Sequence, residues 1–174
     1  AGVGAVALYL GVASKKQLQA VLDAGMGAFF VTLASEYLDG ASDELAQLKN
    51  LGAPKGATVF ADMEGLKAYS TAGAISPVLN AWSKEVVGAG FIAGLYVGSP
   101  QGLTSGELWR LPFITRYWKG QGSTRDRNGD LAEPAGCGWC LVQMYPSVTA
   151  GGVLVDHNMV GQDYKGRVPT LVMA

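Results

Sequence analysis

The sequence predicts an α/β protein of the (β/α)8 TIM-type barrel class, and three observations lead to that prediction. Near-continuous apolar runs such as Ala28-Phe29-Phe30-Val31 alternate with segments whose apolar residues recur at helical spacing. Strands that are apolar on both faces are typical of a parallel sheet covered by helices. Glycine, with 25 of 174 residues, clusters where these segments end. We therefore expect one domain over residues 1–174, with a barrel that is irregular in its second half.

The first half of the chain contains three strand–helix units in regular order. Ser14 is a candidate N-cap of the first helix, Ser42 begins the second, and Ser76-Pro77 predicts the first turn of the third. Glycines that follow the apolar stripe end each helix. The strands before these helices are predicted at residues 5–10, 28–33 and 57–61.

The second half is less regular. A fourth strand is predicted at 92–97, before a short helix at 105–109, and three more at 113–118, 139–145 and 153–156. The polar stretch 119–136 indicates a long surface loop. Because seven strands are one fewer than a (β/α)8 barrel has, we expect the first barrel strand to be missing from this chain, before Ala1.

Composition argues against several classes of function. The formal net charge is -1 and the basic residues are scattered, which disfavours nucleic acid as a partner. No apolar stretch approaches the roughly 20 residues of a membrane span. A phosphate-binding loop is absent, and a single histidine, His157, disfavours zinc, so we expect no cofactor and no metal. Cys137 and Cys140 precede a strand rather than a helix, which favours thiols or a local disulfide over redox chemistry.

Asp62 and Glu64 are the candidates for chemistry. They end the third predicted strand, and side chains two residues apart on a strand share a face. Active sites of parallel α/β proteins form at that end of the strands. Two close carboxylates can divide acid and stabilising roles, as glycoside hydrolysis requires. The alternative is structural, with both residues capping the next loop or pairing with Lys67.

Other strand ends carry groups that suit a sugar site. Asp156 is a third carboxylate, and Arg116 could hold Asp62 or Asp156 ionised. Aromatic faces beside hydrogen-bonding groups match the apolar faces and hydroxyl edges of sugar rings, although any one aromatic residue is more often part of the core or rim. The candidate substrate-binding residues are Tyr9, Tyr96, Arg116, Tyr117, Trp118, Gln143 and Tyr145.

Five short segments together suggest a family. Residues 59–64, 94–99, 114–118, 142–145 and 155–158 occur in an order that resembles the glycoside-hydrolase-like TIM-barrel domains (the DUF1906 type) related to family 25 lysozymes. The Asp-x-Glu strand is the most specific element, together with a late Gln-x-Tyr that is followed by Val-Asp. The resemblance covers essentially the whole chain. It departs from the family in one place, because no Gly-x-Asp strand precedes Ala1.

The resemblance implies a function as well as a fold. Glu64 corresponds to the general acid, Asp62 to the residue that assists the N-acetyl group of the substrate or stabilises developing charge, and Asp156 to a carboxylate on the last strand. The implied substrate is the glycan of peptidoglycan, and the implied location is secreted or associated with a phage particle. We also expect Glu64 to be the more buried of the pair, and Tyr96, Arg116 and Tyr145 to line the cleft.

Two other functions remain open at this stage. A non-catalytic carbohydrate-binding or structural module of a cell-wall or phage-tail assembly would bind glycan without cleaving it, or not bind it at all. Metal-assisted phosphodiester cleavage would use Asp62, Glu64 and Asp156 as oxygen ligands of a hard cation.

Overall fold

The computed structural model describes residues 4–33, 40–64, 72–98, 103–120, 138–150, 152–160 and 169–173. Within these ranges the chain forms seven strands and four helices. The strands are β1 (Ala5–Tyr9), β2 (Gly27–Thr32), β3 (Thr58–Asp62), β4 (Ile92–Val97), β5 (Arg116–Lys119), β6 (Leu141–Ala150) and β7 (Val153–Val160). The helices are α1 (Lys15–Asp23), α2 (Ser42–Leu51), α3 (Ala72–Gly88) and α4 (Ser105–Leu108).

The seven strands form one sheet in which spatial order follows chain order from β1 to β7. Every neighbouring pair from β1 to β6 is parallel. The last pair, β6 and β7, is antiparallel. Only residues 151 and 152 separate these two strands, and a connection of that length cannot hold a crossover helix. The chain therefore turns back on itself at the end of the sheet.

The prediction of a (β/α)8 TIM-type barrel is wrong, although the α/β class is correct. The described residues form an open, curled sheet whose two edges are β1 and β7, rather than a closed barrel. The difference has a clear cause in the last two strands. The sequence pattern located both of them, but it did not show that β7 runs against the others.

Alternating side chains divide the buried residues into two layers. The inner face of the sheet is the face that carries Phe29, Val31, Phe60, Tyr96, Trp118 and Leu141. The outer face packs against the helices through residues that include Leu18 of α1, Leu48 of α2, Trp82 of α3 and Leu108 of α4. Because successive residues of a strand point to opposite faces, each strand contributes to both layers. This explains why the strands are apolar throughout.

Helix ends follow the sequence in two cases and differ in a third. The Ser14 side chain accepts a hydrogen bond from the Gln17 backbone N–H at 3.2 Å and completes a capping box, which confirms the predicted N-cap. Gly52 ends α2 with a φ of 77°. The predicted start of α3 at Ser76-Pro77 is wrong, since the helix begins at Ala72 and contains Pro77. Pro77 is the sixth residue of the helix, so the N–H that it lacks leaves the Gly73 carbonyl without its i→i−4 hydrogen bond.

The segment 169–173 packs against the sheet at the end opposite to Asp62. The Thr58 backbone N–H donates to the carbonyl of Thr170 at 3.0 Å, and Ala28 and Val172 exchange hydrogen bonds of 2.9 and 2.7 Å. Thr58 and Ala28 lie at the N-terminal ends of β3 and β2. The segment therefore covers one end of the sheet and leaves the C-terminal strand ends as the open end.

Some predictions concern residues outside the described ranges. Cys137, Lys67 and most of the predicted loop 119–136 lie there. Cys140 is described; it is buried, and its Sγ donates to the carbonyl of Tyr117 at 3.0 Å.

Candidate functional site

A row of side chains crosses the inner face near the C-terminal ends of the strands. Strand register aligns Asp62 with Tyr96, Tyr96 with Trp118, and Trp118 with Leu141. Residues that are aligned across neighbouring strands point to the same face. The parallel pairing therefore places the Asp62 side chain on the same face of the sheet as the aromatic rings of Tyr96 and Trp118. Trp118 lies 4.6 Å from Tyr96 and 5.5 Å from Phe60 between ring centroids.

Asp62 and Glu64 lie close together but differ in their surroundings. Asp62 is 4% exposed, and its Oδ1 accepts a hydrogen bond from the Glu64 backbone N–H at 2.8 Å. The side chain of Glu64 is exposed at the open end of the sheet. The expectation that Glu64 is the more buried of the two is therefore wrong. The strand ends at Asp62, and the chain turns outward before Glu64.

Burial changes the acidity of Asp62. It raises the pKa of Asp62 from 3.8 to about 6, and the negative charge of Glu64 adds to the increase. The hydrogen bond from the Glu64 backbone opposes the increase, since it stabilises the charged form. Asp62 therefore exchanges its proton close to neutral pH. That Arg116 holds Asp62 or Asp156 ionised stays a prediction, and the raised pKa of Asp62 does not support it for Asp62.

Three carboxylates lie within electrostatic range of the hydroxyl group of Tyr9. Burial raises the pKa of Tyr9, and the charges of Asp62, Glu64 and Asp156 raise it further, in that order. Tyr9 lies on β1 and Asp156 on β7, so the curl of the sheet brings side chains of its two edge strands within electrostatic range. The Ser147 hydroxyl donates a hydrogen bond to Asp156. The charges of all three predicted carboxylates thus act on Tyr9.

Tyr96 and Gln143 connect this group to β6. The Tyr96 hydroxyl oxygen lies 2.5 Å from Gln143 Oε1 and 3.4 Å from Glu64 Oε1. Burial raises the pKa of Tyr96 well above its ordinary value, and the charges of Glu64 and Asp62 raise it further. Tyr96 therefore keeps its proton at neutral pH. Its hydroxyl donates to Gln143 Oε1 and lies beside Glu64.

Three of the predicted binding residues differ from one another in their surroundings. Arg116 is buried at the start of β5, level with Gly94 rather than Tyr96, and its Nη1 donates to the carbonyl of Thr115 at 2.9 Å. Tyr117 points to the outer face, where its hydroxyl donates to the carbonyl of Leu108 at 2.9 Å. Tyr145 is 82% exposed on β6. Tyr117 cannot contact a ligand on the inner face.

Three residues near the site were not among those predicted from the sequence. Asn158 accepts a hydrogen bond from Trp118 Nε1 at 2.9 Å, and Ser147 contacts Asp156. Gly98 is the third, because a Cβ there would lie 2.5 Å from Glu64 Oε1 and 2.4 Å from Tyr96 Cε1. Only Asn158 could have been found, since it lies two residues after Asp156 on the same strand and therefore shares its face.

A metal site and a membrane-spanning helix each require particular features of the described residues. Among the described residues, no group of three or more His, Cys, Asp or Glu side chains has the arrangement needed to hold a metal ion. In the same part of the chain, no helix has both the length and the apolar character to cross a membrane.

Comparison with known proteins supports the fold alone. No protein-family model matches the sequence. No curated protein matches it either. A solved structure of an uncharacterized protein from B. stearothermophilus is similar, with a TM-score of 0.65 and 16% sequence identity, over 90% of this chain and 84% of that one. Similarity at this level of identity extends to the architecture of the sheet and its helices.

Proposed function

We propose that the protein is a glycoside hydrolase that acts on an N-acetylated cell-wall glycan such as that of peptidoglycan. The observation that carries the proposal is the unequal carboxylate pair, in which buried Asp62 has a pKa of about 6 beside exposed Glu64. Glycoside hydrolysis needs one carboxylic acid that still holds its proton near neutral pH and a second group that is ionised. The sequence resemblance to the lysozyme-related domains points to the same substrate.

The burial of the two residues decides how the roles are divided in this proposal. The resemblance assigned the acid role to Glu64, but the raised pKa of Asp62, about 6, favours Asp62 as the group that exchanges a proton near neutral pH. We therefore assign the proton to Asp62 and the ionised, stabilising role to Glu64. Asp156 adds negative charge from the opposite edge of the sheet, which favours a positively charged oxocarbenium-like transition state.

Groups around the carboxylates suit a sugar. Tyr9 is 38% exposed and presents both a ring face and a hydroxyl at the open end of the sheet. Tyr145 adds a second exposed ring on β6. Aromatic faces pack against the apolar faces of sugar rings, while hydroxyl groups bind their edges. A substrate of this kind lies in the cell wall, so the proposal includes a secreted or virion-associated location.

The direct test measures the release of reducing ends from purified peptidoglycan between pH 4 and 8. Asp62→Asn and Glu64→Gln should each lower the rate by about 10²–10⁴-fold, the usual value of acid–base assistance. Asp43→Asn is the matched control, since Asp43 is an exposed carboxylate on α2. In the parent, activity should fall as the pH rises above about 6, as Asp62 loses its proton. If Glu64→Gln abolishes this pH dependence and Asp62→Asn retains it, Glu64 is the acid.

A non-catalytic glycan-binding module is the second candidate. The burial of Asp62 favours it, because little of that carboxyl is open to a leaving group. This candidate predicts that peptidoglycan retains the protein in a sedimentation assay while no reducing ends are released. Binding should then depend on Tyr9 and Tyr145, and be unaffected by Asp62→Asn.

A further inference from the structure

We propose that Tyr96, anchored by Gln143, is a positioning residue that holds the Glu64 carboxylate beside Asp62, and that position 98 must be glycine to leave room for this contact. The proposal rests on the proposed function, because it names how one of the two carboxylates is held. It also changes the role expected from the sequence, which placed Tyr96 and Gln143 among the residues that contact substrate.

Glu64 needs such a restraint because of where it lies. Its side chain is exposed and follows the last residue of β3. An exposed glutamate samples many rotamers, and fixing it costs conformational entropy. A carboxylate that stabilises charge in a reaction must already be in place when that charge develops. A rigid donor nearby would meet this requirement.

Tyr96 has the properties of that donor. Its side chain is 8% exposed, and its ring packs edge-on against Trp118 with 4.6 Å between centroids. The ring is therefore fixed, and the hydroxyl lies 3.4 Å from Glu64 Oε1. Little of Tyr96 is open to a ligand. Its contact with a substrate would be indirect, through Glu64.

Gln143 decides where the single hydroxyl proton goes. In the structure the Tyr96 hydroxyl donates to the Gln143 amide oxygen at 2.5 Å. An amide can present either its oxygen or its NH2 group, and the two orientations occupy the same space. The proposal uses the reversed orientation, in which the Gln143 NH2 group donates to the phenolic oxygen and the hydroxyl proton is left for Glu64. The chain of donors then runs from Gln143 through Tyr96 to Glu64.

Gly98 keeps the space between Tyr96 and Glu64 open. A Cβ at this position would lie 2.4 Å from Tyr96 Cε1 and 2.5 Å from Glu64 Oε1. Both distances are well inside van der Waals contact, so even alanine must displace both side chains. Glu64 is exposed and can move away easily, whereas the Tyr96 ring is packed on Trp118 and must shift within that packing. Alanine at this position would therefore separate the Tyr96 hydroxyl from Glu64.

The test compares Tyr96→Phe and Gly98→Ala with Tyr117→Phe. Tyr117→Phe removes a hydroxyl of the same kind, with a hydrogen bond of 2.9 Å, from the outer face. One readout is the carboxyl 13C resonance of Asp62 as a function of pH. The other is the separation of kcat from KM on soluble peptidoglycan fragments.

Tyr96→Phe and Gly98→Ala should both lower the titration midpoint of Asp62, because the negative charge of Glu64 is no longer held beside Asp62. Both should also lower kcat by about tenfold or more, with KM within about twofold, as expected when an interaction made in the transition state is lost. Tyr117→Phe should lower stability and leave both readouts unchanged.

The outcomes separate the two proposals. If Tyr96→Phe and Gly98→Ala leave the midpoint of Asp62 at its parent value, the positioning role is overturned, whatever the activity. If the midpoint moves but the parent protein cleaves no glycan, Tyr96 positions Glu64 and the hydrolase function is rejected. Gly98→Ala keeps the Tyr96 hydroxyl, so it still decides the question if Tyr96→Phe fails to fold.

Discussion

Trp118 Nε1 donates a hydrogen bond of 2.9 Å to Asn158 Oδ1 and so joins β5 to β7 across the inner face of the sheet. Asn158 is also aligned with Gln143 of β6. Asp156 lies two residues earlier on the same face of β7. The bond therefore fixes the antiparallel strand in a position where the charge of Asp156 acts on Tyr9.

Asn158→Ala should destabilise the protein, because it leaves the indole N–H of Trp118 without its acceptor. The expected loss is about 1–3 kcal/mol in free energy of unfolding, measured by urea titration. The indole N–H resonance of Trp118 should shift at the same time. Asn50→Ala, at an exposed position of α2, is the control. If Asn158→Ala and Asn50→Ala have equal free energies of unfolding, the hydrogen bond between Trp118 and Asn158 does not stabilise the protein.

Asp62→Asn should change how stability depends on pH. The folded pKa of Asp62, about 6, lies above its ordinary value of 3.8, so the folded state binds this proton more tightly than the unfolded state. The resulting stabilisation is complete below about pH 4 and is lost as the pH rises through about 6. Because the folded and ordinary pKa values differ by about two units, the free energy of unfolding should fall by roughly 3 kcal/mol over this pH range.

In the Asp62→Asn protein, that decrease should be absent. The variant should therefore be at least as stable as the parent at pH 7.5, although it has lost a residue of the proposed site. Urea unfolding at intervals from pH 4 to 8 measures both curves. Asp23→Asn, at an exposed residue of α1, should follow the parent. Parallel curves for parent and Asp62→Asn would contradict the burial of this carboxyl.

Gly94→Ala should destabilise the protein, whereas Gly106→Ala should not. A Cβ at Gly94 would lie 2.6 Å from two ring carbons of buried Phe60, so the inner face must repack. Overpacking of this kind usually costs about 1–3 kcal/mol. A Cβ at Gly106, in α4, meets nothing within 4 Å and favours the helix by up to about 1 kcal/mol. A thermal unfolding scan of both variants would reveal opposite signs. A loss of stability in Gly106→Ala alone would contradict this account of the inner face.

The sequence by itself determined most of the local structure. Apolar runs located all seven described strands, because strands buried on both faces must be apolar throughout. Ser14 and Gly52 marked helix ends through hydrogen bonding and φ preferences that depend on neighbouring residues only. The position of Asp62 and Glu64 at the end of a buried strand also followed from the pattern. These features depend on interactions within a few residues of one another.

Only the tertiary structure decided the rest. The sheet is open and β7 runs antiparallel to β6. Both features depend on how strands pair with one another, and the sequence of a single strand does not encode that pairing. The burial order of Asp62 and Glu64 depends on Tyr96 and the other groups that pack around them, so the sequence assigned it wrongly. Tyr117 was misplaced for the same reason, since strand register sets the face of each side chain. Desolvation is a sum over neighbours distant in sequence, and it is desolvation that gives Asp62 its raised pKa.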